Sequence, residues 1–194
     1  GYVGGDPARP AGEGRGNPME LIGMHELIQG AAELLEGGRP AEAAERLAGV
    51  LARDPDNIVA LQDRTRALLV LGRLDEAAAA AARARRLAPW SARAPLVEAE
   101  VALRRGEIAR ALELADQSLA IDPRYQEARL ERARYLALLG RHDEAAEELA
   151  ALERLAGNSP WTDLRVADRV ELPAGRLGAA EERLRAVVAR DPFL

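Results

Sequence analysis

The chain contains no cysteine and no lysine, only two histidines, and 3% aromatic residues in 194 positions. Without cysteine there is no disulfide framework, no thiolate metal site and no cysteine nucleophile. No long uncharged apolar run interrupts the sequence, so an ordinary membrane-spanning helix is excluded. The scarcity of aromatic side chains removes the usual filling of a sheet-based core. A formal charge of -5 leaves no general attraction for nucleic acid or anionic lipid, and no partner of either kind is expected.

What remains is alanine and arginine. Alanine occurs 41 times and all 27 basic residues are arginine, a usage that fits a GC-rich, bacterial coding sequence. Abundant alanine favours helices whose backbones approach closely. Residues 1–18 are mostly glycine, proline and charge, have little to bury, and are expected to form a flexible tail or linker. The glycines at 12, 14 and 16 follow no strand and open no apolar helix, so they carry no phosphate-loop reading.

From Met19 onward apolar residues fall at helical spacing, and one punctuation recurs. Gly38, Gly72, Gly106, Gly140 and Gly175 are 34, 34, 34 and 35 residues apart. Such a period, holding two helices, is the signature of a helical solenoid rather than of a bundle. Each glycine suits a left-handed residue that ends the first helix, and the second helix should begin about two residues later. Asp75 and Asp143 place a carboxylate near that helix start, and Pro40 stands where a missing N–H is harmless. Five residues after each glycine comes Ala43, Ala77, Ala111, Ala145 or Ala180, fitting a crossing too tight for a larger side chain. Twelve residues after it come Val50, Ala84, Ser118, Leu152 and Val187, a packing place of more variable size and so expected to be looser. Pro55, Pro89, Pro123 and Pro192 then stop the second helix.

These residues resemble the tetratricopeptide repeat family, most closely in Gly72-Arg73-Leu74-Asp75-Glu76-Ala77 and Gly140-Arg141-His142-Asp143-Glu144-Ala145. The resemblance covers about nine tenths of the chain and implies an all-α, right-handed superhelix of helical hairpins. Its five units would be 24–57, 58–91, 92–125, 126–159 and 161–194 within a domain 19–194. In the first helix of each unit the family often has a bulky aromatic, then glycine four residues on. Here Leu61, Pro95, Arg129 and Leu164 take the first place and Thr65, Ala99, Ala133 and Asp168 the second. Leu152 departs from the alanine usual at its place, and Pro173 shortens the first helix of the fifth unit.

Catalytic constellations are lacking. His25 and His142 lie three repeats apart, too far to share a metal, and Ser91, Ser118 and Ser159 have no histidine base. His142 is expected to pack between helices, because Leu74, Ile108 and Leu177 fill the equivalent places. Trp90 and Trp161 are expected to pack inter-repeat turns, and Tyr125 and Tyr135 to act as core or spacer residues. Glu147 with Glu148 and Glu181 with Glu182 read as solvated helix faces, not acid–base pairs.

Function therefore rests on the surface that stacking creates. The resemblance implies a concave groove lined by first helices, with Gln62, Arg66, Arg93, Glu100, Arg104, Glu127, Arg134, Arg165 and Arg169 as its polar residues. Leu69, Leu96, Leu103 and Leu130 would supply apolar contact. Six of the nine polar places are arginine, whose rigid fork suits carboxylates, so the expected partner is a protein or peptide with acidic character. The family's carboxylate clamp uses lysine and asparagine; Gln62 and Arg66 echo it only loosely, and chaperone binding is not expected. The leading expectation is a non-enzymatic interaction module with no cofactor or metal. The alternative is an accessory repeat domain of a larger enzyme, such as a glycosyltransferase or sulfotransferase. Leu184, Val187, Val188, Phe193 and Leu194 form an apolar end, from which self-association or a further domain is expected.

Overall fold

A computed structural model of the protein describes residues 18–156, together with 166, 170, 171, 173, 175, 178–180, 182, 183 and 185. Its described helices are α1 (Pro18–Glu36), α2 (Pro40–Arg53), α3 (Ile58–Val70), α4 (Leu74–Leu87), α5 (Arg93–Arg104), α6 (Ile108–Ile121), α7 (Gln126–Leu138) and α8 (His142–Ala156). No strand occurs among the described residues. The expected tail lies outside them except for Pro18, which already begins α1, and so does most of the fifth unit, with the apolar chain end.

Helices pair as α1 with α2, α3 with α4, α5 with α6 and α7 with α8, and each second helix packs on the next first helix. First helices also touch in succession, α1 with α3, α3 with α5 and α5 with α7, whereas second helices do not pack on one another to that extent. A row closed up on one side and splayed on the other must curve, so the first helices line its concave face.

The punctuation works as the sequence indicates. Gly38, Gly72, Gly106, Gly140 and Gly175 all have φ between 72 and 78°. At each of the first four turns the amide after the glycine donates back five residues, Arg39 to Leu34 at 2.8 Å, and Arg73 to Leu68, Glu107 to Ala102 and Arg141 to Leu136 at 2.9 Å. The glycine amide donates to the carbonyl three residues back, so the last carbonyls of the first helix are satisfied before the chain reverses. A side chain just beyond the turn adds a brace that composition alone conceals. Arg39, Arg73 and Arg141 each clasp the glutamate three residues on, Glu42, Glu76 and Glu144, through two hydrogen bonds of 2.5–2.7 Å.

Packing follows the repeat register. Ala43, Ala77, Ala111 and Ala145 are fully buried and Ala180 nearly so. Val50, Ala84 and Ser118 are just as closed to water and Leu152 only slightly less, so the expected looseness does not show as exposure. Ser118 stays satisfied there because its hydroxyl donates to the Ala92 carbonyl at 2.6 Å. The departures from the family pattern are small residues in tight places: Thr65, Ala99 and Ala133 are fully buried, and the Thr65 hydroxyl donates to the Leu61 carbonyl at 2.8 Å. Pro95 stands in the first turn of α5, where its missing N–H breaks no helical bond.

Three expectations are corrected. His142, the first residue of α8, is exposed, whereas Leu74 and Ile108, which open α4 and α6, pack partly buried against the core. Trp90, in the turn between α4 and α5, is 61% exposed, while Ala88 of the same turn is buried. Glu148 is not a solvated charge: it accepts from Arg129 at 3.0 Å and from Arg132 at 2.7 Å, with only 15% of its side chain exposed. Arg132 also reaches Asp116 at 2.6 Å, so this network ties α6, α7 and α8 together. Trp161 lies outside the described residues.

Candidate interaction groove

The concave side of α3, α5 and α7 holds a cavity of about 670 Å³. Of the nine polar residues expected on this face, Arg66, Arg93, Glu100, Glu127 and Arg134 line it. Gln62 does not: it is 5% exposed and belongs to the packed interior. Arg104 is exposed at the last turn of α5, outside the lining, and Arg165 and Arg169 lie outside the described residues. Among the four leucines only Leu96 reaches the cavity, since Leu69 and Leu130 are buried core and Leu103 packs partly buried against it. A residue on the inner helix thus serves either the groove or the core, a choice the spacing rule does not resolve.

The sequence reading had Glu100 and Glu127 on this face and Tyr135 as a core residue, which it is at 1% exposure, but it missed the rest of the lining. Tyr125, Tyr135 and Val97 complete the apolar surface, and Asp122, Arg124, Gln126 and Glu131 complete the polar one. Four arginines therefore face four carboxylates, Glu100, Asp122, Glu127 and Glu131, and the lining is formally neutral. The available signal was an acid three places before two of the four inward arginines: Asp63 precedes Arg66 and Glu131 precedes Arg134.

Those buried carboxylates orient the arginines. Asp63 is 8% exposed and stands 3.8 Å from the Arg66 guanidinium and 3.9 Å from that of Arg93, beyond hydrogen-bond reach. Two guanidiniums from successive helices thus share one carboxylate while about half of each side chain, 55% and 49%, stays open. Arg134 donates to Glu131 at 3.2 Å. Burial pushes the Tyr135 hydroxyl far above its ordinary range, and the neighbouring Glu131, to which it hydrogen-bonds, pushes it the same way, so it stays protonated. Burial also raises Tyr125, with the Arg93 charge opposing. The result is a polar lining of mixed charge over the buried Leu96, Val97 and Tyr135. It lacks the chemistry of a metal centre: among the described residues no three His, Asp or Glu side chains converge to hold an ion. Nor is any described helix long and apolar enough to cross a membrane.

Comparison with known proteins agrees with this architecture. The sequence pattern of the tetratricopeptide repeat matches residues 34–101 and 102–165. TTC0263, a thermophilic repeat protein of Thermus thermophilus, is 22% identical and superimposes with a TM-score of 0.75 over 88% of this chain and 92% of its own. PilW, a type IV pilus biogenesis factor, is 23% identical with a TM-score of 0.71 over 92% of this chain and 80% of its own. YrrB, described as having an unusual peptide-binding site, is 17% identical with a TM-score of 0.54 over 90% of this chain and 92% of its own. No curated protein matches the sequence significantly.

Proposed function

This chain belongs to the tetratricopeptide repeat family, and from that premise we propose that it is a non-enzymatic scaffold holding a peptide or protein segment in the groove of α3, α5 and α7. The observation that carries this reading is the pairing of Arg66 and Arg93 over Asp63: two half-open guanidiniums, aimed into the cavity and too far from their shared carboxylate to be saturated by it. An acidic side chain or a terminal carboxylate of the partner completes their hydrogen bonds. Tyr125, with the edges of Leu96 and Val97, gives the segment apolar contact beside that anchor. Burying little area in a preformed groove costs the scaffold little ordering, so specificity rests on these few polar contacts. A related fold described as peptide-binding, that of YrrB, is consistent with such a use.

An array of short random peptides tests the reading. The double variant Arg66→Gln/Arg93→Gln should lose about fivefold or more in affinity for the acidic sequences that the native chain retains. The pair Arg83→Gln/Arg86→Gln, both exposed on α4, should lose far less. Equal losses from the two pairs would reduce the effect to general electrostatics and refute the groove.

A further inference from the structure

The groove's charges are not equally committed. Arg66 and Arg93 share Asp63, Arg134 is bonded to Glu131, and the Asp122 carboxylate accepts from the Arg124 amide at 2.9 Å. Glu127 and Glu131 also have partners. Glu100 differs from all of these. It lies in α5, the middle of the three lining helices, is half-buried, and makes no hydrogen bond or ion pair with any described residue of the protein. It lines the cavity with part of its surface closed to water, and its charge adds a small upward push to the Tyr135 hydroxyl of α7. Arg66 of α3 and Arg134 of α7 occupy the same register place on either side, yet both lean on their own helix's acid, three residues earlier, and neither forms an ion pair with Glu100. Arg104, one turn further along α5, is exposed outside the lining.

A carboxylate withdrawn partly from water without a partner forfeits hydration that a docking cation restores through charge-assisted hydrogen bonds. We infer that Glu100 is the receptor for a basic side chain, so that the segment held in the groove carries an arginine or lysine over α5 as well as an acidic group over Arg66 and Arg93. The inference rests on the groove reading above and changes its partner, from a simply acidic segment to a bipolar one. The formally neutral lining suits this: a uniformly acidic segment would gain at Arg66 and Arg93 but meet repulsion from Glu100 and its neighbours.

A displayed library of random peptides, panned on the native chain, on Glu100→Gln and on Glu100→Arg and then sequenced, tests it. Glu100→Gln keeps the side chain's shape, so it reports on charge even if the reversal unfolds the chain; circular dichroism melting checks both. The native chain should enrich arginine and lysine about tenfold over aspartate and glutamate at one position of the selected sequences. Glu100→Gln should abolish that preference, and Glu100→Arg should invert it, while Glu147→Arg on the exposed face of α8 should leave it intact. A preference unchanged in Glu100→Gln, or selected sequences with acidic residues alone, would overturn this inference and leave the groove standing. Failure to recover any sequence whose binding depends on Arg66 and Arg93 would overturn both.

Discussion

Replacing Gly106 by alanine isolates the contribution of one backbone conformation to the solenoid. Gly106 has φ of 78°, and a Cβ placed on it would meet no atom within 4 Å. The substitution therefore creates no steric clash with the rest of the protein, and its cost comes from holding an L-residue in the left-handed region, roughly 1–2 kcal/mol. Gly49 supplies the opposite case. It is exposed within α2, its added Cβ also meets nothing within 4 Å, and its conformation is helical. Alanine there should stabilise by about 0.5–1 kcal/mol, through helix propensity and a less disordered unfolded chain. With a urea dependence of about 2 kcal/mol per molar, the unfolding midpoint should fall by about 0.5–1 M for Gly106→Ala and rise by about 0.2–0.5 M for Gly49→Ala. Circular dichroism at the helical minimum during urea titration reads both. Because Gly106 lies between α5 and α6, in the middle of the array, its loss should move the main transition rather than fray an end. A neutral Gly106→Ala, or two variants shifting in the same direction, would refute the assignment of these glycines to obligatory left-handed turns.

Ala111→Leu should destabilise by roughly 1–3 kcal/mol in the same titration, since Ala111 is fully buried and three added carbons must displace a neighbour. Glu148→Gln should cost roughly 1–3 kcal/mol because it strips charge from a carboxylate that serves both Arg129 and Arg132 at low exposure. Arg73→Ala removes an exposed clasp with Glu76 and should cost less than about 1 kcal/mol, shrinking further in high salt. The hydrogen bonds from Arg141, and secondarily its charge, hold the Glu144 carboxyl below its ordinary value of 4.5. A group whose pKa is depressed by folding stabilises the fold above that ordinary value and loses the contribution as pH falls through the folded one. The Glu144 carboxyl signal followed by NMR should thus titrate below 4.5, and Arg141→Ala should bring it back up; an unmoved midpoint would show that the clasp is absent in solution.

Local chemistry was readable along the chain because it depends on near neighbours. A glycine that must turn left, an alanine that must fit a crossing and a proline that cannot continue a helix each act within a few residues. Repetition at a fixed interval then makes the pattern unmistakable: Gly72 and Ala77, or Gly140 and Ala145, mean the same thing in each unit. Even the arginine clasps were present as Arg73 with Glu76 and Arg141 with Glu144, although nothing in composition singled them out. His142 misled because its equivalents Leu74 and Ile108 are apolar and pack partly buried, and Trp90 because an indole beside a proline turn suggested packing that the exposed turn does not provide.

The groove was only half legible. Family spacing placed Arg66, Arg93, Glu100, Glu127 and Arg134 on its wall, but whether a given inner-face residue meets solvent or core depends on how far one helix rotates against the next. Hence Gln62, Leu69 and Leu130 went inward, while Tyr125 came to the cavity and Tyr135 became buried core beneath it. Charge was decided by the same assembly. The sequence by itself determined an array of alanine-packed helical hairpins turning on glycine, because those constraints are local and repeated. Only the tertiary structure decided that Asp63 and Glu131 stand under the arginines and that Glu100 stands alone between them, because electrostatic pairing depends on distances across helices that no linear spacing encodes.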